Sequence, residues 1–450
     1  SETVYVPRGV LATAGPTTTY LPSLTPVVRT ATPTFIGPTP LWMLLESTYT
    51  PTPLYINTQH PIVESYRSAI RAYERGDWTM VITFMEQVAD AEPAAADAYF
   101  YIGQAYRYQK NYTDAAKAYA RSAEINATFA PAYWGQARVL IENNPGNKAQ
   151  QANALTLLKK AVELDPNYYE AYIDLAALAL QAENAPAALD YLGKAAQLAP
   201  DSVEVFRYQA QAYLLDKNWP NALTAAREAN KRDITHVGSY LYLAEALQGS
   251  GQLADSIQPL QTFLMHAPDA GADPHYMLAV GYHAGDQDDA ALDQLAQVIA
   301  LDRFYLNAYL LQGTIRMEQE KFQEALDAFT TASKVNTKSF EAVLGKGQAL
   351  QALDNMGDAY TQYTGALALA KTDDQRALAY LYRAEVLAAI DQLTAAVNDL
   401  KNILKLDPAV VPAELIEKAQ DQLQALATPT PTINPSAEPT GAQQTVTPTP

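Results

Sequence analysis

The chain has 450 residues, is 48% apolar, and carries 49 acidic against 31 basic side chains for a formal net charge of −18. A single core seldom holds so long a chain, so several domains or a repeat array is expected, and the acidity argues against phosphate backbones and anionic lipid, hence against nucleic acid, as partners. The complete lack of cysteine excludes disulfides, thiolate metal sites and cysteine nucleophiles.

Residues 1–61 come first as an extended N-terminal arm. The first sixty hold 14 Thr and 9 Pro with only four charges, Glu2, Arg8, Arg29 and Glu46. Pro and Thr favour polyproline-like stretches over helix. The arm is nevertheless studded with large apolar groups, among them Tyr20, Phe35, Ile36, Trp42, Leu44, Leu45, Tyr49 and Tyr55. A solvated linker does not normally expose so many. These eight are expected to act as anchors that lie in a groove, either that of the same molecule or that of the next one. The start at Ser1 rather than Met suits a mature secreted chain whose signal peptide has been removed.

Residues 62–408 carry an internal repeat, which bears on the fold more than any other feature. A small residue recurs at Ala69, Gly103, Ala137, Ala176, Ala210, Ala244, Ala279, Gly313, Gly347 and Ala384, in steps of 34 to 39. A second series runs Val81, Ala115, Ala154, Ala188, Ala222, Ser256, Ala291, Ala325, Ala359 and Ala396, at the same steps. Two antiparallel helices need small residues where they cross closely. Larger ones then lock the contact, as at Met85, Tyr119, Leu158, Leu192, Leu260, Leu295, Phe329, Tyr363 and Leu400. Pro93, Pro166, Pro200, Pro268 and Pro408 mark turns between units. About ten helical hairpins are predicted. The third unit holds a five-residue insertion near Asn143–Asn147, and the last opens with an acidic link, Thr372–Gln375.

Units such as AYFYIGQAYRYQKNYTDAAKAYARSAEIN (98–126) and YLLQGTIRMEQEKFQEALDAFTTASKVN (309–336) resemble tetratricopeptide repeats. The resemblance spans about 62–408 and implies an all-α fold, a right-handed superhelix of helical hairpins. It also implies an inner groove able to hold an extended peptide. In that register the groove series reads Tyr66, Phe100, Trp134, Ile173, Arg207, Leu241, Tyr276, Leu310, Leu344 and Leu381. The alternative is that these residues only pack against the next repeat. Members that clamp a peptide's terminal carboxylate use Lys and Asn there. Here the only cation in the series is Arg207, so that kind of co-chaperone is not expected.

Residues 409–427 contain PAELIEKAQDQLQALA, an amphipathic stretch expected to cap the array, and 428–450 return to a Thr/Pro-rich tail. The Thr-rich tracts are candidates for glycosylation, at Thr17, Thr18, Thr19, Thr32, Thr34, Thr428 and Thr430. Asn111 and Asn126 open N-x-T sequons.

No catalytic constellation, cofactor fingerprint or metal-ligand spacing is present. His60, His236, His266, His275 and His283 show no ligand pattern, and GDQDDA (285–290) reads as a solvated turn rather than a Ca²⁺ loop. No apolar run reaches the roughly 18 residues of a membrane span, so no membrane insertion is expected. The sequence therefore points to a non-enzymatic structural protein at the cell surface or outside the cell, without cofactors. It would self-assemble head-to-tail into a filament or sheath through its arm and groove, and would carry covalent glycans. The alternative is a monomeric cell-envelope adaptor that binds a peptide or protein.

Overall fold

The structure is a computed structural model that describes residues 55, 56, 60 and 64–427. Within these, 21 α-helices and one short 3-10 turn, Ala254–Ser256, succeed one another without a strand. The first twenty form ten antiparallel hairpins. These are α1 (Glu64–Glu74) with α2 (Trp78–Ala91), α3 (Ala96–Tyr108) with α4 (Tyr112–Ile125), and α5 (Ala130–Asn143) with α6 (Lys148–Leu164). They continue as α7 (Tyr169–Gln181) with α8 (Ala185–Leu198), α9 (Val203–Leu215) with α10 (Trp219–Arg232), and α11 (Val237–Gly249) with α12 (Ile257–His266). Next come α13 (Ala272–Ala284) with α14 (Asp288–Leu301), α15 (Leu306–Glu318) with α16 (Phe322–Val335), α17 (Phe340–Ala352) with α18 (Met356–Leu369), and α19 (Asp373–Ala389) with α20 (Leu393–Ile403). The last helix, α21 (Ala413–Ala427), packs on the tenth hairpin through Leu415 and Ala419. Each hairpin packs on its sequence neighbours, which makes an α-solenoid.

Both small-residue series are buried along their whole length. Size is matched across each hairpin. Where the second helix presents an aromatic ring, the first presents Gly: Tyr119 meets Gly103, Phe329 meets Gly313, and Tyr363 meets Gly347. A Cβ at those glycines would stand 2.8, 2.6 and 2.5 Å from the respective rings. Where the second helix presents Leu, the first has Ala, as in Ala176 with Leu192 or Ala279 with Leu295. Tyr119 and Phe329 also press on glycines of the following hairpin, Gly135 and Gly345. The same ring thereby seals the contact within one hairpin and the contact to the next.

The turn inside a hairpin is equally uniform. One residue just after the first helix takes a left-handed conformation: Gly76, Lys110, Glu183, Lys217, Gly251, Asp286, Glu320, Asp354 and Asp391, with φ between 53° and 78°. An Asp or Asn then often caps the second helix, as Asp77, Asn111, Asn184 and Asn355 do by accepting a backbone N–H. Between hairpins, Asn126, Asp165, Asp233, Asp302 and Asn336, and after the tenth hairpin Asp407, each accept the N–H two residues on, at 2.9–3.0 Å. These Asx turns stop one hairpin and start the next.

The two irregular units take up their extra residues mostly in helix. Residues 144–147 of the insertion form the turn between α5 and α6. Helix α5 has 14 residues and α6 has 17, against 13 and 14 in the preceding hairpin, so most of the extra length is helix. Asn147 caps α6 by accepting from Ala149 and Gln150 N–H, and the run KAQQANA then propagates as helix because its residues are good helix formers. The acidic link at 372–375 is likewise the first turn of α19, where Asp373 and Asp374 favour the positive end of the helix dipole. No described helix is long and apolar enough to cross a membrane.

Candidate partner-binding groove

The first helices of hairpins two to five line a cleft of about 640 Å³. Trp134 and Ile173 of the groove series stand in it with Arg207, its walls include Arg107, Arg138, Tyr169, Glu170, Asp174 and Tyr208, and Asp201, just before α9, and Glu204, in its first turn, add to them at the Arg207 end. Three of the charged groups in this cleft, Arg107, Arg138 and Asp174, are joined through Glu142 in a chain of ion pairs. Arg107 bonds Glu142 at 2.7 Å, Glu142 also takes Arg138 at 2.6 Å, and Arg138 reaches Asp174 at 2.9 Å. The Trp134 indole N–H donates to the other Asp174 oxygen at 2.7 Å. Burial raises the Asp174 carboxyl above its ordinary range, and Arg138 and the Trp134 N–H pull it part of the way back. Arg138 is affected in the opposite sense: burial works against its charge, while Asp174 and Glu142 more than offset it. Arg207 stacks over Tyr208 at 5.0 Å and has no ion pair among the described residues.

The described end of the arm lies against this wall. Tyr55 donates its backbone N–H to the Tyr101 hydroxyl at 2.9 Å, and its own hydroxyl donates to Glu170, 115 residues away in sequence. Its ring meets Tyr168 edge-on at 4.9 Å and Phe100 at 6.0 Å. Burial and the Glu170 charge push the Tyr55 phenol well above its usual range, and burial raises Glu170 as well. Five residues on, His60 is buried between Glu92 at 2.6 Å and Asp97 at 3.0 Å, with its ring stacked on Tyr66 at 4.3 Å.

The remaining groove residues divide. Tyr66, Phe100, Trp134, Ile173, Leu344 and Leu381 are at most 9% exposed, so most of their surface packs against neighbouring helices. Leu241, Tyr276 and Leu310 are half-buried. Leu310 and Leu344 share a second, smaller cleft of about 340 Å³ with Phe340 and Leu378. Of the arm anchors only Tyr55 is described. Tyr20, Phe35, Ile36, Trp42, Leu44, Leu45 and Tyr49 lie outside the described residues, as do the candidate threonines Thr17, Thr18, Thr19, Thr32, Thr34, Thr428 and Thr430. Asn111 caps α4, and Asn126 forms a turn, so both sequon side chains have structural work.

Sequence reasoning missed the ion-pair chain and the two carboxylates around His60. A signal existed: Asp174 interrupts the otherwise apolar run AYIDLAAL, and Asp97 interrupts PAAADAYF. It also missed that His283, Asp288 and Glu318 converge, with one ligand-type atom from each within 4.8 Å of the others. The GDQDDA stretch itself is the expected turn, leading into α14 at Asp288.

Models of the tetratricopeptide repeat match residues 96–129 and 310–374, and the chain carries repeats of that type. Over 179 residues it is 30% identical to DnaJ homolog subfamily C member 3 of Mus musculus, covering 36% of this chain and 35% of that one. Its counterpart in Homo sapiens is 29% identical over 187 residues. The chain thus spans about a third of the length of these curated relatives. Among solved structures, the APC/C hetero-tetramer Cut9-Hcn1 aligns over 81% of this chain and 83% of its own, at 14% identity and a TM-score of 0.43. MamA protein aligns over 37% of this chain and 91% of its own, at 21% identity and a TM-score of 0.35.

Proposed function

We propose that this repeat chain is a non-enzymatic protein-interaction scaffold whose cleft across hairpins two to five holds an extended, tyrosine-bearing peptide segment. One observation carries the reading. Tyr55, which belongs to no helix, is held by both its backbone N–H and its hydroxyl on groups of two different hairpins, Tyr101 and Glu170. A backbone contact plus a side-chain pocket is how a groove recognises an extended chain. Aromatic anchors of this kind carry a large share of binding energy in interfaces.

The test uses a labelled peptide of residues 50–60, TPTPLYINTQH, titrated into the full chain and into its Tyr55→Ala variant. Vacating the seat is expected to tighten peptide binding at least tenfold, and a peptide with Ala in place of its Tyr should not bind. If neither chain binds the peptide, the groove reading is wrong.

A second reading, head-to-tail assembly into a surface filament, draws on the same geometry. A seat that accepts the arm of its own chain accepts the arm of the next copy equally well, and such a heterologous contact propagates. Exposed apolar residues near the far end of the array, Leu393, Leu404 and Val410, offer area for that contact. Location outside the cell and glycans on the Thr tracts belong to this reading and rest on the composition of the arm and tail. Sedimentation should then show assemblies that grow with concentration, and the native mass should exceed 49.0 kDa per chain. Concentration-independent monomers of the bare mass would leave the adaptor.

A further inference from the structure

Hairpins seven and eight repeat a contact of hairpins two and three with different chemistry. In both places the side chain four residues past the small crossing residue, Gly103 or Ala279, faces a glutamate 35 positions on, in the next hairpin. In the earlier pair these are Arg107 and Glu142, closed at 2.7 Å. In the later pair they are His283 and Glu318, and the imidazole Nε2 stops 3.8 Å from the carboxylate, beyond hydrogen-bond reach. The other ring nitrogen is engaged, with Nδ1 2.8 Å from Asp288 Oδ1. With Nδ1–H donating to Asp288, Nε2 turns its lone pair towards Glu318. His60 also stands between two carboxylates, but at 2.6 and 3.0 Å both of its contacts are closed, and it is buried.

The surroundings favour a cation between Nε2 and Glu318. Residues 233–302, which span hairpins six and seven, hold ten carboxylates and four of the five histidines but no Lys or Arg. Arg316, two residues before Glu318, is bonded to Glu324 at 3.0 Å. Helix α13 ends one residue after His283 and α15 ends at Glu318, so two helix C-termini bring partial negative charge to one place. The His283, Asp288 and Glu318 side chains are 25%, 28% and 55% exposed, which leaves an ion a way in.

We propose that His283 Nε2 and the Glu318 carboxylate bind one zinc-class divalent ion, with Asp288 as the partner that orients the ring. Two ligand atoms held tetrahedrally at zinc distances stand roughly 3.4 Å apart. The 3.8 Å gap therefore closes with a small turn of the exposed glutamate. An imidazole suits a borderline ion, whereas Ca²⁺ and Mg²⁺ call for oxygen ligands alone. A carboxylate behind the far ring nitrogen is the usual companion of a metal-bound imidazole. Water completes the coordination. The ion joins hairpin seven to hairpin eight, as the Arg107–Glu142 pair joins two to three. This site is separate from the cleft of hairpins two to five and does not depend on peptide binding there.

The test titrates ZnCl₂ into the full chain, without an affinity tag and labelled with ¹⁵N-histidine. Imidazole nitrogens are followed by NMR and affinity by calorimetry. One equivalent of Zn²⁺ should shift the His283 resonances and raise the melting temperature. Glu318→Gln should weaken binding at least tenfold, and Asp288→Ala, which removes the orienting partner, about tenfold. His283→Arg rebuilds the Arg107–Glu142 pairing, so it should keep the circular dichroism of the wild type and lose the zinc response. Should His283→Arg fail to fold, Glu318→Gln, at an exposed position, decides alone. No saturable binding overturns the assignment, as does undiminished binding by Glu318→Gln. Zinc that shifts other histidines and not His283 overturns it too. Ca²⁺ displacing Zn²⁺ at equal concentration would mark a general attraction of the acidic surface and overturn it likewise.

Discussion

The ring of Tyr119 lies 2.8 Å from where a Cβ on Gly103 would have to stand. That space exists only because position 103 has no side chain, and the same ring then presses on Gly135 of the next hairpin. Gly103→Ala should therefore overpack the contact and cost about 1–3 kcal/mol. The rescue is specific. Tyr119→Leu in the same chain recreates the Ala–Leu pairing of Ala176 with Leu192, and should recover part of the loss. Urea unfolding of the two single variants and the double variant gives the coupling energy. A neutral Gly103→Ala would show that the hairpins relax more freely than their packing implies.

Lys217, Glu320 and Asp354 hold left-handed turn conformations at φ 55–61° without the glycine that Gly76 and Gly251 supply at the same place. A non-glycine residue pays for that region, and glycine pays instead in unfolded-state entropy. Replacing each by Gly should therefore stabilise by about 0.5 kcal/mol, additively because the sites are far apart. Differential scanning calorimetry of the triple variant checks the sum; a lower melting temperature would contradict it.

Asp174 accepts from both Arg138 and the Trp134 indole while itself nearly inaccessible. Asp174→Ala strips a partly buried guanidinium of a partner and should cost about 3 kcal/mol. Asp174→Asn keeps an acceptor for Trp134 and should lose less. Denaturant midpoints followed by tryptophan fluorescence distinguish the two, and equal losses would place the effect in packing rather than charge.

Glu245 is half-buried, and burial alone raises its carboxyl above the ordinary value of 4.5. A raised carboxyl binds its proton more tightly in the folded chain than in the unfolded one. Its stabilising contribution is therefore complete below the unfolded value and is lost as pH rises through the folded value. Glu245→Gln should remove that loss, so the variant gains on the wild type at pH 8 and matches it near pH 4. Unfolding free energies at the two pH values test the sign; a variant that gains only at low pH would reverse it.

Much of the fold was legible because a helical hairpin is a local object. Ala69 and Val81, or Gly347 and Ala359, lie twelve residues apart, and their crossing leaves its mark in a single short stretch of sequence. The spare residues at 143–147 and 372–375 were legible as places where the period lengthens, but not how the added length divides between turn and helix. Residues 144–147 make the turn, while Asn147 and the paired aspartates 373 and 374 open helices that hold once a neighbouring hairpin gives them something to pack on. The groove series was only partly legible for a related reason. Phe100 and Trp134 occupy one register, yet each ring is mostly covered by its neighbours, and the cleft surface is finished by Arg107, Arg138 and Glu170 from other registers.

The amino-acid order by itself determined the ten-fold recurrence, the hairpin turns and the matching of ring to glycine or leucine to alanine, since these are interactions between near neighbours along the chain. Tertiary structure alone decided that Tyr55 reaches Glu170 across 115 residues, and that Trp134, Arg138 and Asp174 close into one buried network. Those partners meet because successive hairpins stack, and the distance a stack folds away is not written in any one repeat.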